Sequence, residues 1–149
     1  MTSRRKAEAT RWWQQAVYDL RAVRWHIQGG FSATACFLAQ QASAKALQSL
    51  LYSLGARRTA LLTHSLVEMI QEGSTRVSPL AALLDNAREL DLHSIPSRYP
   101  NGLPGGYSHQ FYVWTMAEQA LRAAETISAA VEEYYRAQGE RDILEPDTE

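Results

Sequence analysis

Arginine and histidine recur a little over one helical turn apart in this sequence. Arg88-Glu89-Leu90-Asp91-Leu92-His93 and Arg21-Ala22-Val23-Arg24-Trp25-His26 each place four residues between the two, and Arg58 and His64 are separated by five. Such a pair suits work on a phosphate ester. An imidazole titrates near neutrality and can take or give a proton. A guanidinium can hold the phosphate and stabilise the charge that develops on it. Of the 15 cations 13 are Arg, and there are four His. About one match of this kind is expected by chance, so spacing alone is a weak signal. Arg88 and His93 are the best placed, because His93 leads into a loop that carries Arg98. Five residues turn a helix through about 500°, or about 140° net, so these two side chains converge only if the helix ends near Leu92.

That loop reads "SRYPNG" and sets Arg98 and Tyr99 between Pro96 and Pro100. Prolines stiffen the backbone, so Arg98 is presented at little entropic cost. Its guanidinium can bind phosphate, and Tyr99 or Tyr107 can stack on a base. The competing reading pairs Arg98 with a carboxylate and packs Tyr99 on the protein. His64, in "THSL", is either a residue that ties a helix start to the core or a ligand-facing imidazole. His26 stands beside Gly29-Gly30 as a partner for a helix C-terminus. The four His show neither HxH nor HxxxH spacing, and Cys36 is alone, so no metal site and no cofactor are expected.

Lys45 is the single charge in "ACFLAQQASAKALQSLL", Ala35 to Leu51. A helix half exposed to water carries charges down one side. Here Ala35, Leu38, Ala39, Ala42, Ala46 and Leu50 share one face. Phe37, Gln41, Lys45 and Gln48 form another that is polar but almost uncharged. Burial of that second face against a neighbouring helix or a second subunit accounts for it. Asp19 and Glu68 are the candidate partners of Lys45; anion contact is the alternative.

Five segments with helical periodicity would position these residues, and no segment alternates as a strand does. They run from about Ala7 to Gln28, Ser32 to Leu54, Ser65 to Glu72, Ser78 to His93 and Gln110 to Gln138. Gly29-Gly30 and Gly55 stop the first two. Thr63 or Ser65 can cap the third, where Ser65-Leu66-Val67-Glu68 has capping-box spacing, and Ser78-Pro79 is a cap followed by proline. Trp13, Ala16, Val17, Leu20, Val23 and Ile27 line the first helix; Trp114, Ala117, Leu121, Ala124, Ile127, Val131 and Tyr134 line the last. Short connections make these an all-α, antiparallel four- or five-helix up-and-down bundle. Residues 1–138 form one domain and 139–149 a flexible acidic tail.

The 149 residues carry a formal net charge of −1, so no global basic field grips a nucleic-acid backbone. No signal peptide and no bilayer-spanning apolar run is evident, which favours a cytoplasmic protein without membrane association.

Several segments taken together resemble the HEPN domain family. They are "QQASAKALQSLL" (Gln40 to Leu51), "THSL" (Thr63 to Leu66), "LDLHSIPSRYPN" (Leu90 to Asn101), the pattern Trp13…Ala16…Asp19-Leu20, and "AEQALRAAETI" in the last helix. The match spans Arg11 to Tyr135. The chain departs from the family at Ala44-Lys45, where Glu-Lys is common. The resemblance implies a helical bundle that commonly dimerises, and a link to nucleotides or RNA. Many small prokaryotic members are encoded beside a minimal nucleotidyltransferase as a toxin–antitoxin-like pair. Others are metal-independent ribonucleases with an Arg-x4–6-His motif, which they carry on a later helix. The expected function is therefore a dimeric nucleotide- or RNA-associated module partnered with a nucleotidyltransferase, with ligand contacts from Lys45, His64, Arg98 and Tyr99. The alternatives are a metal-independent endoribonuclease using Arg88 and His93, and a structural helical adaptor.

Overall fold

A computed structural model describes residues 1–145, and every regular element among them is helical. Helix α1 spans Ser3–Gln28. Thr2 caps it by accepting the Arg5 amide at 3.2 Å, so the helix begins a turn earlier than periodicity predicts. Its buried stripe is Ala9, Trp13, Ala16, Asp19, Val23 and Ile27; Val17, expected inward, is exposed.

Helix α2, Ser32–Leu54, is the centre of the bundle. Only Thr34 of its residues is exposed. Its many Ala and Ser side chains let α1 and Trp114–Ala137 (α7, numbered after the short helices below) approach closely. The three meet at Ser49, whose hydroxyl donates to the Ala9 carbonyl at 2.6 Å and lies 2.7 Å from the Tyr135 hydroxyl. Tyr135 is fully buried and meets Trp13 edge to face, 6.2 Å between centroids. The scarcity of charge on α2 thus has a structural cause within one chain: neighbours cover most of the helix and leave a half-buried stripe through Leu38, Gln41, Lys45 and Tyr52 below exposed Thr34.

Short helices cover the other side. They are α3 (Arg58–Leu62), α4 (Leu66–Ser74), a 3₁₀ turn over Ser78–Leu83, α5 (Leu84–Asp91) and α6 (Ser108–Phe111). Ser65 caps α4 as its spacing predicts, accepting the Glu68 amide at 3.3 Å. Two expected helices are broken. The fourth starts as 3₁₀ behind Pro79 and becomes α-helical only at Leu84. The last is interrupted at Tyr112 and Val113, both in extended backbone. The break turns the Tyr112 ring inward and leaves Trp114, expected in the core, exposed. In α7 it is Tyr135 rather than Tyr134 that is fully inside.

Part of the segment expected to be a loose tail is folded. Arg141–Leu144 forms α8 and buries Ile143 completely. Lys6 anchors it by ion pairs to Glu140, at 3.2 Å, and to Asp142. The rest of that tail, residues 146–149, lies outside the described residues.

Candidate functional site

The uncharged polar face of α2 is a row of hydrogen-bond donors aimed at chain segments. Gln48 Nε2 donates to the carbonyls of Leu61 at 3.1 Å and Thr63 at 3.3 Å. A little over two turns earlier, Gln40 Nε2 donates to the His64 carbonyl at 3.1 Å and to Asp91 Oδ1 at 3.3 Å. Asp91 also accepts the amides of Leu66 at 3.0 Å and Val67 at 3.2 Å and the Ser65 hydroxyl at 3.1 Å. A carboxylate from the end of α5 therefore sits on the start of α4, where the helix dipole favours it. His64 contributes its carbonyl to this node, while its side chain is exposed.

Lys45 pairs with Asp19, one of the two partners its position suggested. Gln15 Nε2 donates to the other oxygen of Asp19 at 2.9 Å. The lysine lines a cleft of about 360 Å³ together with Arg11, Trp12 and Tyr52.

Arg88 and His93 are engaged in different directions. Helix α5 does end at Asp91, yet Arg88 reaches back to Asp85 at 3.0 Å on the open surface. His93 Nδ1 lies 3.0 Å from the Tyr112 hydroxyl, with the rings edge to face. Burial lowers the imidazole below its ordinary 6.5 and pushes the Tyr112 phenol up to about 12. Near neutrality the pair is an uncharged hydrogen bond. The neighbouring Cys36 thiol is fully buried and is raised to about 12 by burial and then by the Glu89 charge, so it is not nucleophilic.

Arg98, expected on one reading to pair with a carboxylate, forms no ion pair among the described residues. Its Nε donates to the Ser94 carbonyl at 2.8 Å, and its guanidinium lies 4.2 Å from the centroid of the Phe37 ring and 5.1 Å from that of Tyr99. A stacked guanidinium keeps its outer N–H groups available in a fixed plane. Tyr99 itself is exposed, as are Leu92, Ile95, Tyr107, Phe111 and Trp114 along the same segment. The structure thus keeps the expected site residues apart, Lys45 on Asp19, His64 at the α4 cap, Arg88 on Asp85 and His93 on Tyr112, and brings together only Arg98, over Phe37, and the adjacent Tyr99. Sequence reasoning missed Tyr112, Asp91 and the platform role of Phe37. Only Phe37 had left a signal, as a ring among the polar positions of α2. No group of three or more His, Cys, Asp or Glu among the described residues is placed to hold a metal, and no described helix is long and apolar enough to cross a membrane.

Bundle, caps and loop together match a known family. The chain belongs to the HEPN domain family, whose model matches residues 9–134. Among solved structures it is similar to TT1696 from Thermus thermophilus, with a TM-score of 0.79 and 35% identity over 85% of this chain and 97% of that one. It is also similar to ST0689, an archaeal HEPN homologue, with a TM-score of 0.71 and 30% identity over 85% and 97% of the two chains. No curated protein matches it.

Proposed function

We propose that this chain is a non-catalytic, dimeric HEPN module that engages the phosphate of a nucleotide or RNA through Arg98, and that it partners a minimal nucleotidyltransferase in a toxin–antitoxin-like pair. The observation that carries the reading is the Arg98 guanidinium, stacked on Phe37 beside exposed Tyr99. An arginine fixed flat next to an exposed aromatic ring offers phosphate binding and base stacking from one place. The run of exposed apolar side chains from Leu92 to Trp114 supports a second copy or a protein partner on the same side. Against catalysis stands the divergence of Arg88 and His93, which gives a phosphate no shared point of attachment.

The test combines binding with RNA integrity. Labelled RNA and labelled adenine nucleotide are titrated with wild type and Arg98→Ala, and molar mass is read by light scattering. The expected result is a dimer whose binding weakens about tenfold or more in Arg98→Ala. Unchanged binding in that variant overturns the site. RNA is then incubated with protein in EDTA; cleavage lost in His93→Ala would replace the binding module with a ribonuclease. Loss in His64→Ala alone would move the site to the "THSL" turn. Co-purification with a nucleotidyltransferase encoded beside it checks the partner.

A further inference from the structure

Two guanidinium groups meet at the C-terminal end of α2. Arg5, in the first turn of α1, donates through Nη2 to the Ser53 carbonyl at 2.6 Å and through Nε to that of Tyr52 at 3.3 Å. Arg76, just beyond α4, donates through Nη1 to the Leu54 carbonyl. Three successive carbonyls therefore hold two cations. Neither cation forms an ion pair among the described residues. The end of a helix offers the two of them about half a negative charge. Arg5 is half-buried, and a cation withdrawn from water is costly unless an opposite charge meets it.

Both side chains line one cavity of about 210 Å³, where the start of α1 and the ends of α2 and α7 come together. Arg76 and Gln138 on its wall are exposed, so it is reached from solvent. The carboxylate on the wall, Glu140, is held by Lys6 at 3.2 Å. Lys6 also holds Asp142. Arg5, Lys6 and Arg76 thus stand against two carboxylates, and one positive charge is left over. Nη1 of Arg5, and Nε and Nη2 of Arg76, carry N–H groups that no described residue accepts. The volume lies below the roughly 300 Å³ at which sites for whole organic ligands begin.

We propose that this cavity binds a phosphate group, held by the unspent N–H edges of Arg5 and Arg76. Forked, charge-assisted bonds to a tetrahedral oxyanion are what a pair of guanidinium groups supplies. The phosphate is either free inorganic phosphate or the terminal phosphate of a nucleotide whose remainder stays outside. Bound there, it ties the start of α1 to the turn after α4. This cavity is lined by none of the residues that form the Arg98 surface, so the two sites stand or fall separately.

The probe is inorganic phosphate, titrated into the isotope-labelled full chain in chloride buffer at constant ionic strength, with adenosine diphosphate in parallel. The readout is the Nε–H signals of Arg5 and Arg76 by NMR. Expected are saturable shifts at both, retained in Arg98→Ala, which separates this site from the Arg98 surface. Tighter binding of adenosine diphosphate names a nucleotide end as the source; equal or tighter binding of inorganic phosphate names the free ion. Arg76→Gln should weaken binding about tenfold. Phosphate should also raise the thermal midpoint of wild type and leave that of Arg76→Gln unmoved. Absence of saturable shifts at Arg5 and Arg76 overturns the proposal. So does an Arg76→Gln variant whose midpoint falls equally in phosphate and in chloride, because the guanidinium would then only cap α2.

Discussion

The ammonium of Lys45 and the carboxylate of Asp19 close an ion pair across the α1–α2 contact, and it is Asp19 that is the more deeply buried of the two, with side-chain exposures of 8% and 26%. Removing the cation should therefore hurt more than removing the pair. Lys45→Met leaves a buried carboxylate with only Gln15 as partner and should cost about 3 kcal/mol. Asp19→Leu combined with Lys45→Met should recover most of that loss. Urea unfolding of the two variants checks the order; equal destabilisation would show that packing rather than charge sets the cost.

Asp91 is tied to three donors of the α4 start and to Gln40. Asp91→Ala should cost about 2–3 kcal/mol and Asp91→Asn less, since an amide oxygen still accepts. Hydrogen exchange at the Leu66 and Val67 amides is the local readout. Both should exchange faster in Asp91→Ala, and unchanged protection there would rule out the capping role.

His93 gives the protein a pH response of definite sign. Burial lowers its folded value below the ordinary 6.5. As pH falls through about 6.5 the unfolded chain takes up a proton that the folded chain still refuses, so stability falls until the folded imidazole protonates as well. The urea midpoint should drop between about pH 7.5 and about pH 5.5, and His93→Phe should flatten that slope whatever it does to absolute stability. A slope that is unchanged in His93→Phe would assign the response to other groups.

Gly55 ends α2 with φ +68°, and a Cβ there would meet the Arg5 guanidinium at 2.8 Å. That guanidinium is the cap of the helix: Nη2 donates to the Ser53 carbonyl at 2.6 Å and Nε to that of Tyr52 at 3.3 Å. Gly55→Ala strains the backbone and displaces the cap together, for about 2 kcal/mol or more. Arg5→Ala should lose about 1 kcal/mol alone and make Gly55→Ala less costly. Thermal melts of the two single variants and the double variant measure the coupling; strictly additive losses would separate the two effects.

The long helices were legible because apolar spacing, Gly55 and the Ser65 cap all act within a few residues of themselves. Asp19 was legible as a candidate partner of Lys45 because it lies on α1, the helix that precedes α2 in an antiparallel bundle. What stayed hidden depends on residues far apart in sequence. The break at Tyr112 exists because its ring is drawn in beside His93, which local propensity cannot report. The fold of Arg141–Leu144 rests on Ile143 finding the core and on Lys6 at the other end of the chain. Arg98 suggested a carboxylate or a phosphate as partner; what the sequence did not show is the ring from α2 on which its guanidinium lies, Phe37, 61 residues earlier in the chain.

The central place of α2 in the bundle also sets where an enzyme can cut. Between Arg24 and Arg57 the sequence offers trypsin one cleavable bond, the one after Lys45. That bond lies mid-helix, about three turns from either end of α2, and its lysine is held by Asp19. Cutting after Lys45 must wait for the whole bundle to open, whereas the arginines on the outer helices can be reached by smaller motions. The rate of that single cut is a built-in clock for global unfolding, readable on a gel without any label.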